Sequence, residues 1–411
     1  MELLAPRYMT RFRCLGSACE DSCCRGWTVH LDRAHYDKLR ERMASPEERA
    51  ELNAKVKRSA ENRPDKYALF VIREDSGACS FVDASGLCTI HSRYGEDYLG
   101  NTCATYPRAV GRIGERHELV GVTSCPEVAR LALLHEDALD LVPVDREVFG
   151  RGWITRELEA DEKDPYNANF LAVRGLVIEL LQRRKFPLGS RLFFVAFFAD
   201  RSRGYLKRGA RNFDADALRE LGQSMRLTEN LETLHRQIQR SLVDVSYAIR
   251  VVREVLRVIA GNLPTREQSL VGDIVDLFAA KDVSLDGDAL AILRAYNALP
   301  PLPAERAARL DAILERYVAH DLFDRWFVSR PSFIAYYHQL LAQAATIRFL
   351  VNAHARGNPP ADAAAFDALA IRVIYLQARL VEHSAKFVEG MRRAFEEEGL
   401  ELGHALALTR L

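Results

Sequence analysis

From Pro126 onward, apolar positions recur every three or four residues, the period of a helix that buries one face. Val128, Leu131, Leu134 and Leu139 open the series. After less regular sequence from Leu141 to Lys163, ending at Asp164-Pro165, a second helical run covers Phe170–Leu181 and Pro187 stops it. The same period predicts helices over 190–205, 213–222, 226–260, 265–280, 287–297, 303–321, 331–354 and 364–397. Three prolines between Ala298 and Pro303, and the run Gly357-Asn-Pro-Pro360, interrupt the pattern. Short Pro-rich connections also join packed helices, so residues 126–411 read as one predominantly helical domain, with a candidate subdivision near 298–303.

Residues 1–125 follow a different pattern. Between Asp32 and Ala60, Leu39, Met43, Ala50, Leu52 and Val56 recur at roughly helical intervals, predicting one or two helices broken at Ser45-Pro46. Tyr67–Arg73 and Cys79–Val82 are short and β-favouring, with Gly77 and Gly86 marking turns. The expected fold class is therefore mainly α: an N-terminal module over 1–125 with short β elements, followed by the helical domain.

Composition narrows the functional classes. The 57 basic residues balance 57 acidic ones, so no global field draws nucleic acid or an anionic membrane. The most apolar stretch, Leu192–Ala199, is eight residues long, short of the ~20 that span a bilayer, so no transmembrane segment is expected. Charges before Cys14 stand where a secretory signal would have its apolar core. A cytoplasmic location is the resulting expectation, with oxidised disulfides disfavoured there.

All eight cysteines, Cys14, Cys19, Cys23, Cys24, Cys79, Cys88, Cys103 and Cys125, fall in the first 125 of 411 residues. Independent scattering would do this on the order of once in ten thousand chains, which argues for a shared role over that of inert buried thiols. Adjacent Cys23 and Cys24 cannot point the same way from a regular strand, so they belong in a turn or at a helix start. There, exposed amide groups favour the thiolate form that a metal requires.

Soft thiolates select zinc, copper(I) or iron–sulfur centres. Cys19-x3-Cys23 supplies one zinc knuckle, but Cys79-x8-Cys88, Cys103 and Cys125 do not supply a second; His91 is a candidate to complete a mixed site. The spacing also departs from the ferredoxin run Cys-x2-Cys-x2-Cys-x3-Cys-Pro and from the Cys-x3-Cys-x2-Cys pattern of radical enzymes that use S-adenosylmethionine. A ligand set that bridges early and late cysteines is the expectation, because loop closure costs only about 0.6 kcal/mol per doubling of loop length and metal–thiolate bonding contributes far more. A local set of Cys14, Cys19, Cys23 and Cys24 is the alternative.

The segments Phe12–Trp27, Gly86–His91, Asn101–Arg108 and Cys125-Pro126 together resemble the flagellin lysine N-methylase family, within proteins carrying a cysteine-rich iron- or zinc-chelating module. The resemblance covers the first third of the chain. It implies an iron–sulfur protein, with a 4Fe-4S cluster, that transfers methyl groups from S-adenosyl-L-methionine to lysines of flagellin or another lysine-bearing polypeptide.

The remaining candidates are side chains near the late cysteines. Tyr94, Asp97 and Tyr106 are candidates for positioning or deprotonating the lysine, against a structural or surface role for each. Arg108 is a candidate to hydrogen-bond cluster ligands, and Trp27 to cap the cysteine loop. No Gly-x-Gly-x-x-Gly fingerprint or Walker loop reveals a cofactor pocket, and Gly111-x-x-Gly114 lacks a strand-to-helix context. Two readings other than catalysis stay open: a non-catalytic iron–sulfur module that binds protein, and a redox sensor or electron carrier.

Overall fold

The first strand, β1 (Glu2–Pro6), takes its partners from far along the chain: it runs parallel to residues 116–118 and antiparallel to 141–143. A computed structural model describes residues 2–151, 153–159, 163–211, 213–262, 268–379 and 401–411. Contacts divide these into two units: residues up to 131 with 140–157, and residues 132–139 with 158–411.

In the first unit, β1 leads through α1 (Tyr8–Arg11) and the cysteine loop to β2 (His30–Leu31), α2 (Arg33–Arg42), α3 (Pro46–Lys55), β3 (Val56–Arg63) and β4 (Lys66–Phe70). There follow α4 (Thr89–Tyr94), α5 (Asn101–Thr105), the hairpin β5 (Arg108–Ile113) and β6 (Arg116–Gly121), α6 (Pro126–Leu133), β7 (Leu141–Pro143) and β8 (Ile154–Leu158). One sheet has the order β7-β1-β6-β5-β8 and the other β2-β4-β3.

The break expected at Ser45-Pro46 is the start of α3. Ser45 accepts from the Glu48 amide while Glu48 accepts from the Ser45 amide, a reciprocal cap with proline just inside the helix. The helix expected to reach Ala60 stops at Lys55. Val56 pairs with Phe70 instead, because its β-branched side chain packs into the small sheet's core beside Leu52, Phe70 and Phe81.

The five-stranded sheet exceeds the short β elements expected. Arg108–Ile113 becomes a strand through its hairpin with β6, whereas β1, β7 and β8 are recruited from segments with little alternation of their own. Tyr8 fastens α1 to this sheet: its hydroxyl donates to the Gly121 carbonyl at 3.0 Å and accepts from the Gly121 amide at 2.8 Å. A Cβ at Gly121 would stand 2.8 Å from Val128 and 3.0 Å from the Met9 sulfur, so this approach requires glycine.

The second unit contains α7 (Pro165–Ala168), α8 (Phe170–Leu181), α9 (Leu188–Arg201), α10 (Ala215–Ser224), α11 (Thr228–Arg240), α12 (Ser246–Asn262), α13 (Gln268–Ala279), α14 (Ala289–Asn297), α15 (Ala304–Asp324), α16 (Phe333–Gly357), α17 (Ala363–Gln377) and α18 (Leu402–Thr409). The protein is thus mainly α, with its strands gathered in the N-terminal region. The helix expected over 226–260 is two helices, because Asp244 accepts from the Ser246 amide and starts a new one. Residues 265–267 of the helix expected at 265–280, and residues 380–397 of that expected at 364–397, lie outside the described residues.

Of the 25 residues of α16, 20 are buried, and α9, α12, α13, α15, α17 and α18 pack around it. A helix buried on all sides must also bury polar side chains. Beside it, Glu315 of α15 lies between Arg191 and Arg184, and Arg191 also donates to the Phe186 carbonyl at 3.0 Å.

His338 of α16 is 1% exposed, with Nδ1 3.2 Å from the Ile334 carbonyl and Nε2 3.4 Å from that of Glu401. Burial pushes its pKa down to about 4, against the carbonyls that favour the protonated ring. The unfolded ring titrates near 6.5, so the unfolded chain binds a proton between pH 6.5 and 4 that the folded chain does not. Stability from this group is therefore full above pH 6.5, falls as pH drops through that window, and levels off below about 4, a loss approaching ~3 kcal/mol. In urea titrations, His338→Gln should flatten the decline between pH 7 and 5; an identical slope in both proteins would show that the ring is not held neutral.

Candidate functional site

The cysteine loop is tied to the late cysteines by main-chain bonds rather than by sequence proximity. The Cys79 amide donates to the Cys24 carbonyl at 2.8 Å, the Gly26 amide to the Gly77 carbonyl at 3.0 Å, and Arg25 bridges Ala78. Cys79 also bridges Ile72, and Cys88 bridges Val82 across a turn whose Asp83 carboxylate accepts from the Ser85 and Leu87 amides. Trp27 donates from Nε1 to the Cys23 carbonyl at 2.7 Å and stacks obliquely on Tyr106, ring centres 5.7 Å apart. It does cap the loop.

These contacts form two thiol neighbourhoods. In one, Cys23 and Cys24 have sulfurs 4.0 Å apart, and Cys79, Cys88 and Cys103 pack nearby against the small sheet's core. The Cys103 thiol is pushed up by burial first and then by Cys88, Cys79 and Cys23. In the other, Cys125 is pushed up to about 12 by burial, with Cys19 and Cys23 adding to the shift, while Cys19 is raised by burial and has Cys14 nearby. Arg130 of α6 draws this second group together by gripping Glu20 at 2.6 and 2.8 Å.

Helix starts place two of the thiols. Cys88 directly precedes α4, where the Ile90 and His91 amides hydrogen-bond its thiol, and Cys125 precedes α6, where the Glu127 and Val128 amides do the same. Such amides stabilise a thiolate. Desolvation is the larger effect at both, so without a cation each stays a thiol. All eight cysteines are free of disulfides; Cys14 and Cys23 are exposed and the others partly buried.

The expected iron–sulfur ligand set is not closed by this arrangement. Among the described residues, no group of three or more His, Cys, Asp or Glu side chains is arranged to hold a metal ion. Burial raises the pKa of Cys19, Cys79, Cys88, Cys103 and Cys125, which disfavours the thiolate form that a metal requires. Donor chemistry suits a soft metal, but the side-chain geometry as it stands does not fit a 4Fe-4S cluster.

The other sequence candidates are dispersed. The Tyr94 hydroxyl donates to Glu48 at 2.8 Å, beneath the Arg42 guanidinium, at the cap of α3. Asp97 is exposed, and its backbone carbonyl accepts from Lys38 at 2.9 Å. Tyr106 stands nearest the cysteine loop, against Trp27, with its hydroxyl 3.2 Å from that of Ser124. Arg108 lies over the Phe12 ring; its Nε is buried without a partner, burial lowers its pKa, and Cys14 and Glu96 act on it with the opposite sign. Sequence reading missed Arg151, which donates to the Leu99 carbonyl at 2.8 Å and is a cation acting on Cys103. Nothing in linear spacing marks it.

No described helix is long and apolar enough to cross a membrane. The fold and this thiol-rich region together describe a mainly helical protein with a cysteine-bearing α/β amino-terminal unit. The sequence family described as FliB lysine N-methylase C-terminal domain matches residues 174–408, more than half of the chain, and the chain belongs to that family. Among curated relatives, the flagellar biosynthetic protein FliU of Salmonella muenchen is 29% identical over 152 residues, 37% of this chain and 87% of that protein. The lysine-N-methylases of Salmonella typhimurium (strain LT2) and Salmonella choleraesuis (strain SC-B67) are 29% and 28% identical over 141 residues, 33% of this chain and of each. The match thus spans a third of the length of those two lysine-N-methylases. No solved structure matches.

The Arg130–Glu20 pair is partly exposed, with side-chain exposures of 36% and 41%, and such pairs contribute about 0.2–1 kcal/mol. Arg130→Gln should therefore speed alkylation of Cys19 by no more than about fivefold relative to Cys103, followed by mass spectrometry in chelator-treated protein. An unchanged ratio would mean that the pair does not hold the loop.

Proposed function

We propose that the protein is an S-adenosyl-L-methionine-dependent protein-lysine methyltransferase whose substrate is flagellin. Membership of the lysine-methylase family across 174–408 carries the proposal, and the curated names of its relatives, one flagellar and two lysine-methylating, support the substrate class.

In the reaction, the neutral lysine amine attacks the sulfonium-bound methyl group, the C–S bond breaks toward sulfur to leave a neutral thioether, and the methylated amine loses a proton. With a reference pKa of about 10.4, the neutral amine costs roughly 4.6 kcal/mol to populate at pH 7. A site that removes the proton or excludes water lowers that cost. Tyr106 is the preferred candidate to position the amine, because it packs on Trp27 beside the cysteine loop; Tyr94 and Asp97 are retained for testing alongside it.

The cysteine-rich unit is proposed to hold a 4Fe-4S cluster once its thiols draw together, with ligands from both early and late cysteines and with Arg108 hydrogen-bonding the ligand set from outside. Support comes from the amide-facing Cys88 and Cys125 and from the backbone link between Cys24 and Cys79. No step of methyl transfer is assigned to the cluster.

Incubation of anaerobically purified chain with S-adenosylmethionine and flagellin should add methyl increments to lysines by mass spectrometry, and Tyr106→Phe should slow this on the order of 10²-fold. Unmodified flagellin across a panel of substrates would remove the activity, and an unchanged rate would remove Tyr106. Iron, sulfide and zinc analysis of the same preparation tests the cluster separately. Serine replacements of Cys88, Cys103 and Cys125 should each reduce iron and sulfide together; full occupancy in all three would refute bridging, and zinc without sulfide would refute the cluster.

A further inference from the structure

The segment that joins α9 to α10 in the second unit carries Arg201, Arg203, Lys207, Arg208 and Arg211 and, between residues 201 and 211, no Asp or Glu. All five cations are exposed. The dipole of a helix favours cations at its C-terminal end, which accounts for Arg201 and Arg203 at the end of α9 but not for the three beyond them.

The segment is held in one shape. Ser202 is fully buried and donates to the Phe198 carbonyl at 2.7 Å, and the carbonyl of buried Leu206 accepts from the Phe333 amide at 2.9 Å. The Arg208 amide donates to the Pro331 carbonyl at 2.9 Å, its guanidinium donates to the Val328 carbonyl at 2.9 Å, and Lys207 bridges Ser332. The charges are therefore carried on a backbone pinned to the start of α16, which lowers the ordering cost of binding a partner.

Elsewhere on this unit, Lys185 pairs with Glu232, Arg219 with Asp216, Arg226 with Glu179 and Arg257 with Asp286. Within 201–211, Arg203 pairs with Asp200, but among the described residues no carboxylate pairs with Arg201, Lys207, Arg208 or Arg211. Arg201 lies over the Phe197 ring, 5.0 Å from its centre. Asp214, the next carboxylate along the chain, accepts from the Ala217 amide to cap α10. Like charges thus crowd a fixed stretch of surface, and an anionic partner would relieve their repulsion.

Arginine forks match carboxylates and phosphates alike, so the neighbouring rings decide between a polypeptide and a nucleic acid. A single nucleic-acid strand needs ring faces on which its bases stack. Tyr205 and Phe213 are instead half-buried and packed edge to face on each other, ring centres 6.4 Å apart at 88°. The balance of 57 basic and 57 acidic residues over the chain also supplies no wider field for a long polyanion.

We propose that residues 201–211 form a docking surface for an acidic stretch of a polypeptide, with Arg201, Lys207 and Arg211 receiving its carboxylates. The surface stands independently of the methyl-transfer reading.

Fluorescence anisotropy of labelled oligo-glutamate titrated with the full chain tests it. Each exposed charge pair contributes a factor of about 1.4–5, so the triple variant Arg201→Gln, Lys207→Gln, Arg211→Gln should bind about tenfold more weakly than the parent. These side chains leave no carboxylate orphaned, so the thermal midpoint should match the parent's, and Lys207→Gln alone should still weaken binding about twofold. A control triple variant, Lys185→Gln, Arg219→Gln, Arg226→Gln, changes net charge equally but removes paired cations, and should stay within about twofold of the parent. Equal losses in the two triple variants would overturn the surface, because attraction would then follow net charge alone. Unchanged affinity in the first triple variant, or no binding of oligo-glutamate to the parent, would overturn it as well. Tighter binding of a single-stranded oligonucleotide of equal charge, lost in the first triple variant, would replace the acidic polypeptide with nucleic acid and overturn the proposal.

Discussion

Helix α16 is the constraint around which the second unit is organised. A helix buried on nearly every side has no solvent face for its polar residues, so each must find a partner in the surrounding helices or remain unsatisfied at a cost. Thr346 bonds back to the Ala342 carbonyl, Asn352 donates to the Tyr296 hydroxyl, and His338 stays neutral between two carbonyls. Gln343 differs: its oxygen is doubly engaged while its nitrogen has no partner. The same burial that makes α16 a central support therefore makes the few polar positions along it chemically distinctive.

The first unit solves a different problem. Its two sheets are small, and its cysteine segments have little regular structure, so pairwise anchors set their positions: the Cys24–Cys79 main-chain bond, the Trp27 indole on Cys23, the Asp83 turn and the Arg130–Glu20 grip. These contacts bring cysteines far apart in sequence into shared surroundings without forming a closed ligand set. Burial, and the negative charge a neighbouring thiolate would carry, oppose thiolate formation, whereas helix-start amides at Cys88 and Cys125 favour it. A soft cation would reverse that balance, coupling metal capture to movement of the side chains.

Family membership rests on the helical unit, whereas the chemical resemblance visible by eye lies in the cysteine segments. The two regions meet different physical demands. Around α16 the packing requires helix-period apolar positions and tolerates many side chains of suitable size. In the cysteine unit, particular donor atoms and turns at given positions matter more than overall hydrophobicity. That difference explains how cysteine spacing suggested a methylase relationship before any fold was apparent.

The sequence by itself determined the helical character of the second unit, because burial of one face at period 3.6 leaves a local signature. Phe170–Leu181 is helical over just that range, and the break at Ser45-Pro46 was legible because proline ends a helix locally, whereas the reciprocal cap with Glu48 came from the structure. It also established that the thiols share one region. Tertiary structure decided what local pattern does not encode: the recruitment of Glu2–Pro6 between strands more than a hundred residues away, the turn of Val56 from helix to strand, and the two thiol neighbourhoods. It likewise placed Tyr94 at a helix cap and Tyr106 against Trp27, and set Arg325 against Gln343. Strand pairing, burial and hydrogen-bond satisfaction depend on partners distant along the chain, so they become definite only when the backbone has brought those partners together.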